Sequence, residues 1–223
     1  MPQPSTLHTN RRVFLGASTA FAATLVAAGA LTAIPARAAD DAPDVFIQQL
    51  STQVLDTIKA NKNALQNGDL AAIMKIVDDL IMPNIDFTRM TASAVGPGWR
   101  RATPDQKQKL QAAFKTLLIR TYAGALKQVG DQTVELRPFR GNPAAPEVVV
   151  QTLVHGKGDP VQLDYRLERT PGQGSGWKIY DLNVLGVWLV DNYRPQFAQQ
   201  INSGGIDALI QAMDARNNAN AAQ

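Results

Sequence analysis

Few side chains in this 223-residue chain are able to do covalent or acid–base chemistry, and none is spaced as a catalytic template requires. There is no cysteine, which removes thiol nucleophiles, thiolate metal sites and disulfides together. Beyond the first 38 residues, a Ser-His-acid triad would have to use His155, at the end of a predicted strand, and none of Ser51, Ser93, Ser175 and Ser203 sits in a Gly-x-Ser-x-Gly elbow. The adjacent Asp78-Asp79 diverge on a helix and the single imidazole beyond residue 38 builds no histidine site, so neither a metal nor a cofactor is expected. Gly172-x-Gly174-x-Gly176 lies between two strands instead of opening a helix, which makes it a hairpin and not a phosphate loop. Two acids remain. Asp164 falls on the polar side of its strand and is expected to be solvated, and Asp181, beside Tyr180, is expected to bond neighbouring backbone. A small pocket enzyme using Asp181 or Tyr180 is therefore the different-class alternative, and the expectation is that the protein is not an enzyme.

The first 38 residues read as an export signal. Arg11-Arg12 forms the charged start, Val13 to Ile34 the apolar run, and Ala36-Arg37-Ala38 a small-residue cleavage site. The arginine pair followed by Phe14-Leu15 resembles a twin-arginine signal, which implies export to the periplasm of an already folded protein. Three of the 22 basic residues, Arg11, Arg12 and Arg37, lie in that segment, leaving 19 against 19 acids. The balanced body argues against a general polyanion binder, so no nucleic-acid partner is expected.

The elements that position the remaining side chains follow from periodicity. From Pro43 apolar residues recur at helical spacing to Leu65, and Asn67-Gly68 ends that helix. Asp69 caps a second helix that stops before Pro83, and a short one follows from about Asn84 to the breaker Gly96-Pro97-Gly98. Thr103-Pro104-Asp105-Gln106 is a capping box with proline at the first helical position, opening a long helix that runs to Gly130. The period then changes to two. Strands are predicted near Thr133 to Phe139, Glu147 to His155, Val161 to Leu167 and Trp177 to Val184. Helical spacing returns from Val187, with a break at Gly204-Gly205, and residues 217–223 have nothing to bury and are expected to be a disordered tail.

Helices, then strands, then helices predict an α+β fold: a four-stranded antiparallel sheet wrapped by helices, in one domain over residues 39–216. The apolar inventory is far richer than the reactive one, enough to line an apolar cavity between sheet and helices or simply to fill a core; periodicity does not separate the two, and core is the default for most of these residues.

In order and spacing, several stretches resemble the MlaC, or toluene-tolerance Ttg2D, family of periplasmic phospholipid-binding proteins. They are Phe87-Thr88-Arg89-Met90, Trp99-Arg100-Arg101-Ala102-Thr103-Pro104-Asp105-Gln106, Phe114-Lys115-Thr116-Leu117-Leu118, Trp177-Lys178-Ile179-Tyr180-Asp181 and Gly205-Ile206-Asp207-Ala208-Leu209-Ile210. The resemblance implies an NTF2/cystatin-like arrangement and a soluble carrier that holds phospholipid acyl chains. It also implies exchange with an outer-membrane lipoprotein–porin complex and an inner-membrane MCE-domain ABC transporter, serving outer-membrane lipid asymmetry and solvent tolerance. The lipid-lining residues expected are Phe87, Met90, Trp99, Phe114, Leu118, Tyr122, Val150, Leu163, Tyr165, Leu167, Val187, Trp188 and Tyr193, with Arg100 and Arg101 meeting a headgroup or a partner. Trp188 stands where the family usually carries a small polar residue, which keeps a hopanoid-associated carrier as an alternative.

Overall fold

The computed structural model describes residues 40–127 and 131–221. The expected export segment, the helix stop at Val129-Gly130 and the last two residues lie outside the described residues. Helix α1 (Pro43–Ala60) starts on a proline and ends one turn before the periodicity predicts. Asn61 breaks it: its side-chain amide donates to Thr57 O at 2.8 Å, competing with the helical ladder, and a short α2 (Lys62–Gln66) follows. Asp69 accepts from Ala72 N at 3.0 Å and caps α3 (Leu70–Ile76) as predicted. The chain does not stop there. It widens into a π turn (Val77–Ile81) and tightens into a 3₁₀ turn (Met82–Asn84), because Pro83 lacks the N–H that would bond one turn back.

Ile85 bridges Ile179 instead of starting a helix, and α4 (Phe87–Val95) begins at Asp86, which accepts from Arg89 N at 2.8 Å. A single turn, α5 (Gly98–Arg101), leads to α6 (Pro104–Lys127). The capping box forms in full, with Gln106 N donating to the Thr103 hydroxyl at 3.2 Å and Thr103 N donating to the Gln106 side chain at 3.0 Å.

The sheet is an antiparallel meander of β1 (Thr133–Leu136), β2 (Glu147–His155), β3 (Val161–Arg169), β4 (Trp177–Val184) and β5 (Val187–Trp188). It has five strands where four were expected. The fifth turns back on β4 through Leu185 (φ 53°) and Gly186 (φ 87°), two positive-φ residues that match a tight hairpin. Helix α7 (Leu189–Ala221) therefore begins two residues later than the spacing suggests. Gly204 and Gly205 leave helical geometry, the latter at φ 77°, ψ −166°, and divide α7 into limbs 189–203 and 206–221. The second limb runs beside α6 in the same direction, with Gln106 bonded to Asp207 and Asn217 to Ala113 O. Asn217 is only 6% exposed and helical. A tail disordered from residue 217 is thereby corrected, since this limb has α6 to pack on. No helix among the described residues is long and apolar enough to cross a membrane.

Candidate functional site

Two of the apolar bodies in the core meet along one seam. In the first, α1 lays Phe46, Ile47 and Leu50 on the sheet face made by Val148, Val150, Tyr165, Leu167, Trp177 and Ile179. In the second, α4, α6 and α7 close on Phe114, whose ring centre is 5.8 Å from Phe87, 5.1 Å from Tyr193 and 5.2 Å from Phe197. The bodies meet at Ile85, which packs against both. There a cavity of about 370 Å³ opens, lined by Met82, Ile85, Asp86, Phe87, Thr88, Gln111, Thr170, Gln173 and Lys178. That volume lies in the range of small-ligand sites.

The expected lining residues divide accordingly. Phe87, Met90, Trp99, Phe114, Leu118 and Tyr193 belong to the helical body, and Val150, Leu163, Tyr165 and Leu167 to the sheet body. Tyr122 is half-buried on α6, its hydroxyl pKa pushed up by burial. Phe87 alone among them lines the seam cavity. Val187 is 50% exposed in β5, because the helix it was assigned to has not yet begun. The Trp188 ring lies 4.0 Å under the Arg166 guanidinium, a cation–π contact, and lines neither described cavity. Sequence reasoning missed Met82, Ile85, Thr88, Gln111 and Lys178. Met82-Pro83 gave the only signal, as the point where helical spacing fails.

The face of β2–β4 opposite α1 is polar and charged, exposed along β2 at Glu147, Val149 and Gln151 and buried at Asp164, Asp181 and Asn183. Arg89 of α4 reaches across to Glu168 and Glu147, both at 2.5 Å, with its guanidinium 3.6 Å over the Tyr180 ring. Arg89 and the Tyr180 hydroxyl hold the Glu147 carboxyl below its ordinary range, whereas burial pushes Glu168 and Tyr180 up. Asp164 is 2% exposed, not solvated. One of its oxygens accepts from Gln162, and it sits opposite Gln151 and Asn183 on the neighbouring strands, because alternation specifies a face and not its depth. Asp181, 1% exposed, accepts from Leu182 N at 2.9 Å, Val190 N at 3.1 Å and Arg166 at 2.8 Å. It is the structural hydrogen-bond acceptor expected, and neither it nor Tyr180 lines a described cavity. Burial pushes its carboxyl up against the pull of those donors. His155 pairs with Glu135 across β1 and β2. Among the described residues no group of three metal-ligating side chains forms.

A second concavity, about 460 Å³, opens on the outer side of α4, lined by Arg89, Ala92, Ser93, Gly96, Pro97, Trp99, Arg100 and Arg194. Arg101, paired with Arg100 in the sequence reading, is exposed and outside its lining.

The family model described as MlaC protein matches residues 48–215. The toluene tolerance protein ttg2D of Pseudomonas putida is 26% identical over 74% of this chain and 75% of its own length. The intermembrane phospholipid transport system binding protein MlaC of Haemophilus influenzae is 24% identical over 78% of this chain and 82% of its own. A phospholipid-binding protein from Ralstonia solanacearum, solved in complex with a phospholipid, is 44% identical, covers 81% of this chain and 99% of its own, and superposes with a TM-score of 0.76. The sheet-and-helix scaffold, the seam at Ile85 and these matches agree: the chain belongs to the MlaC family.

Proposed function

We propose that this protein is a periplasmic carrier that holds phospholipid acyl chains at the seam between its sheet body and its helical body, reached beside Met82 and Phe87. The observation that carries this reading is the 44% identical relative solved with a phospholipid bound, on a scaffold matching over 81% of the chain. Each methylene removed from water is worth about 0.8 kcal/mol, so a two-chain lipid needs an apolar container to cross an aqueous space. The work calls for no nucleophile, metal or general base, and family membership supports a binding protein rather than an enzyme. Export through the 1–38 signal by the twin-arginine route, and exchange between an outer-membrane lipoprotein–porin complex and an inner-membrane MCE-domain ABC transporter, complete the proposed cycle. The hopanoid alternative rested on Trp188, whose ring is engaged by Arg166.

Solvent extraction of protein purified from its own host, followed by mass spectrometry, tests the cargo directly. Phospholipid is expected in the wild-type extract. Ile85→Glu places a charge where the two bodies meet and is expected to empty it, with the helical circular dichroism retained. A folded Ile85→Glu variant that still carries a full complement of lipid rules out the seam, and a wild-type extract with no lipid rules out the carrier reading.

A further inference from the structure

The groove on the outer side of α4 has no part in the seam. Its floor is apolar, made by Ala92, Gly96, Pro97 and the Trp99 indole, and no carboxylate lines it. Gly96 leaves the space open: a Cβ built there meets nothing within 4 Å. Three arginines surround the floor, but they are not equivalent. Arg89 is neutralised by Glu147 and Glu168. Arg194 donates from Nε to Ser93 O at 3.0 Å, which satisfies a terminal carbonyl of α4 and points a largely unspent guanidinium at the rim. Arg100 is exposed and makes no ion pair among the described residues. Lys107, outside the groove lining, lies 5.5 Å from the ring centre of Trp99. The half-charge at the C-terminus of α4 is outweighed by these full positive charges.

We infer that this groove is a docking site for the phosphate of an anionic phospholipid still embedded in a membrane surface, Arg100 and Arg194 taking the phosphate and Trp99 the first methylenes. Arginine and tryptophan around an apolar floor are the pairing that sits at a lipid–water boundary, the guanidinium reaching phosphate and the indole lying at headgroup depth. The pairing of a cationic rim with an apolar floor favours a lipid phosphate over a protein partner. A headgroup and its first carbons match a 460 Å³ groove with an apolar floor and a cationic rim. The purpose of such a contact rests on the carrier reading above, but its geometry does not, since the groove and the seam share no lining residue.

Co-sedimentation of the full-length processed protein with vesicles tests this, using phosphatidylglycerol mixed into phosphatidylcholine against phosphatidylcholine alone at low ionic strength. Wild-type protein is expected to prefer the anionic vesicles and to release them as salt is raised. Removal of one guanidinium from a membrane surface costs about fivefold in binding, so Arg100→Gln with Arg194→Gln is expected to lose about 25-fold. A charge-matched control, Arg137→Gln with Arg140→Gln in the β1–β2 connection, is expected to lose little. Arg100→Gln alone, at an exposed position that holds nothing in the fold, gives the fivefold step should Arg194→Gln disturb α4. Equal loss in the control, no loss in either groove variant, or no preference of wild type for anionic vesicles overturns the docking site. Host-lipid extraction from the double variant separates the two readings: full cargo with lost vesicle binding is expected, and lost cargo overturns the independence of the groove.

Discussion

The sheet body and the helical body bury similar kinds of side chain, yet they hold them differently. In the sheet body Val148, Val150, Tyr165 and Leu167 are presented by backbone ladders in a fixed register, and α1 has only to cover them. In the helical body no backbone ladder joins α4, α6 and α7 around Phe114 among the described residues, only side-chain packing and side-chain hydrogen bonds, and α7 is itself interrupted at Gly204-Gly205. A molecule that takes up and releases a flexible ligand gains from that inequality. One wall keeps its shape through a continuous backbone ladder, while the other relies on apolar contacts and a few side-chain hydrogen bonds such as Asn217 to Ala113 O and Arg194 to Ser93 O, and so has fewer directional constraints.

The sharpest way to break this comparison is to cut one side chain from each wall. Phe114→Ala removes a ring that touches three other rings and is expected to cost about 4 kcal/mol in urea denaturation, against about 3 kcal/mol for Leu167→Ala. Native-state hydrogen exchange should show the Phe114 loss concentrated in α4, α6 and α7. A larger loss from Leu167→Ala, or one spread evenly over both walls, contradicts the division.

The joint between the walls is the next target. Asp181 on β4 holds the first turn of α7 and Arg166 together, so Asp181→Asn, which keeps the shape but discards the charge, is expected to cost about 2 kcal/mol. An unchanged urea midpoint would mean that the joint contributes nothing to holding α7.

The smallest effect has a sign that depends on pH. Arg89 and Tyr180 lower the Glu147 pKa in the folded protein, so its contribution is present above the unfolded value of about 4.3 and is lost as pH falls through the lowered folded value. Because Glu147 is half exposed, solvent screening limits Glu147→Gln to about 0.5 kcal/mol at neutral pH, shrinking to nothing in strong acid. Glu168 runs the other way. Burial raises its pKa, so acidification from neutrality first relieves it. A Glu147→Gln penalty that grew on acidification would reverse the assignment of which carboxylate the arginine serves.

Local rules were the legible part of the fold. Thr103 with Gln106, Asp69 before α3, and the strands Glu147–His155 and Trp177–Val184 are all decided by neighbours a few residues away, and periodicity reads neighbours well. The illegible part depended on partners distant in sequence. Asp164 is polar and alternates correctly, but depth in a central strand depends on what flanks it, which no alternation encodes. Asn217 looks idle until Ala113 O is beside it. The candidate site suffered most, since the expected lining residues are the large apolar ones, and size and spacing do not say which of two bodies a residue joins. Ile85 falls inside the short helix that spacing predicts from about Asn84 and is instead a bridge residue that packs against both bodies.

Asp181 has one more consequence, for the order in which the chain assembles. The first turn of α7 takes its hydrogen-bond acceptor from β4, only nine residues earlier, across the β4–β5 hairpin. Closing so small a loop costs little entropy. The hairpin turn at Leu185-Gly186 thus sets the phase in which α7 starts winding, and with it which residues of the limb 189–203 face Phe114. A slip of one residue in that turn would leave the sheet nearly intact and rotate Tyr193 and Phe197 away from their places. The wall with fewer directional constraints thereby inherits its starting angle from the laddered one.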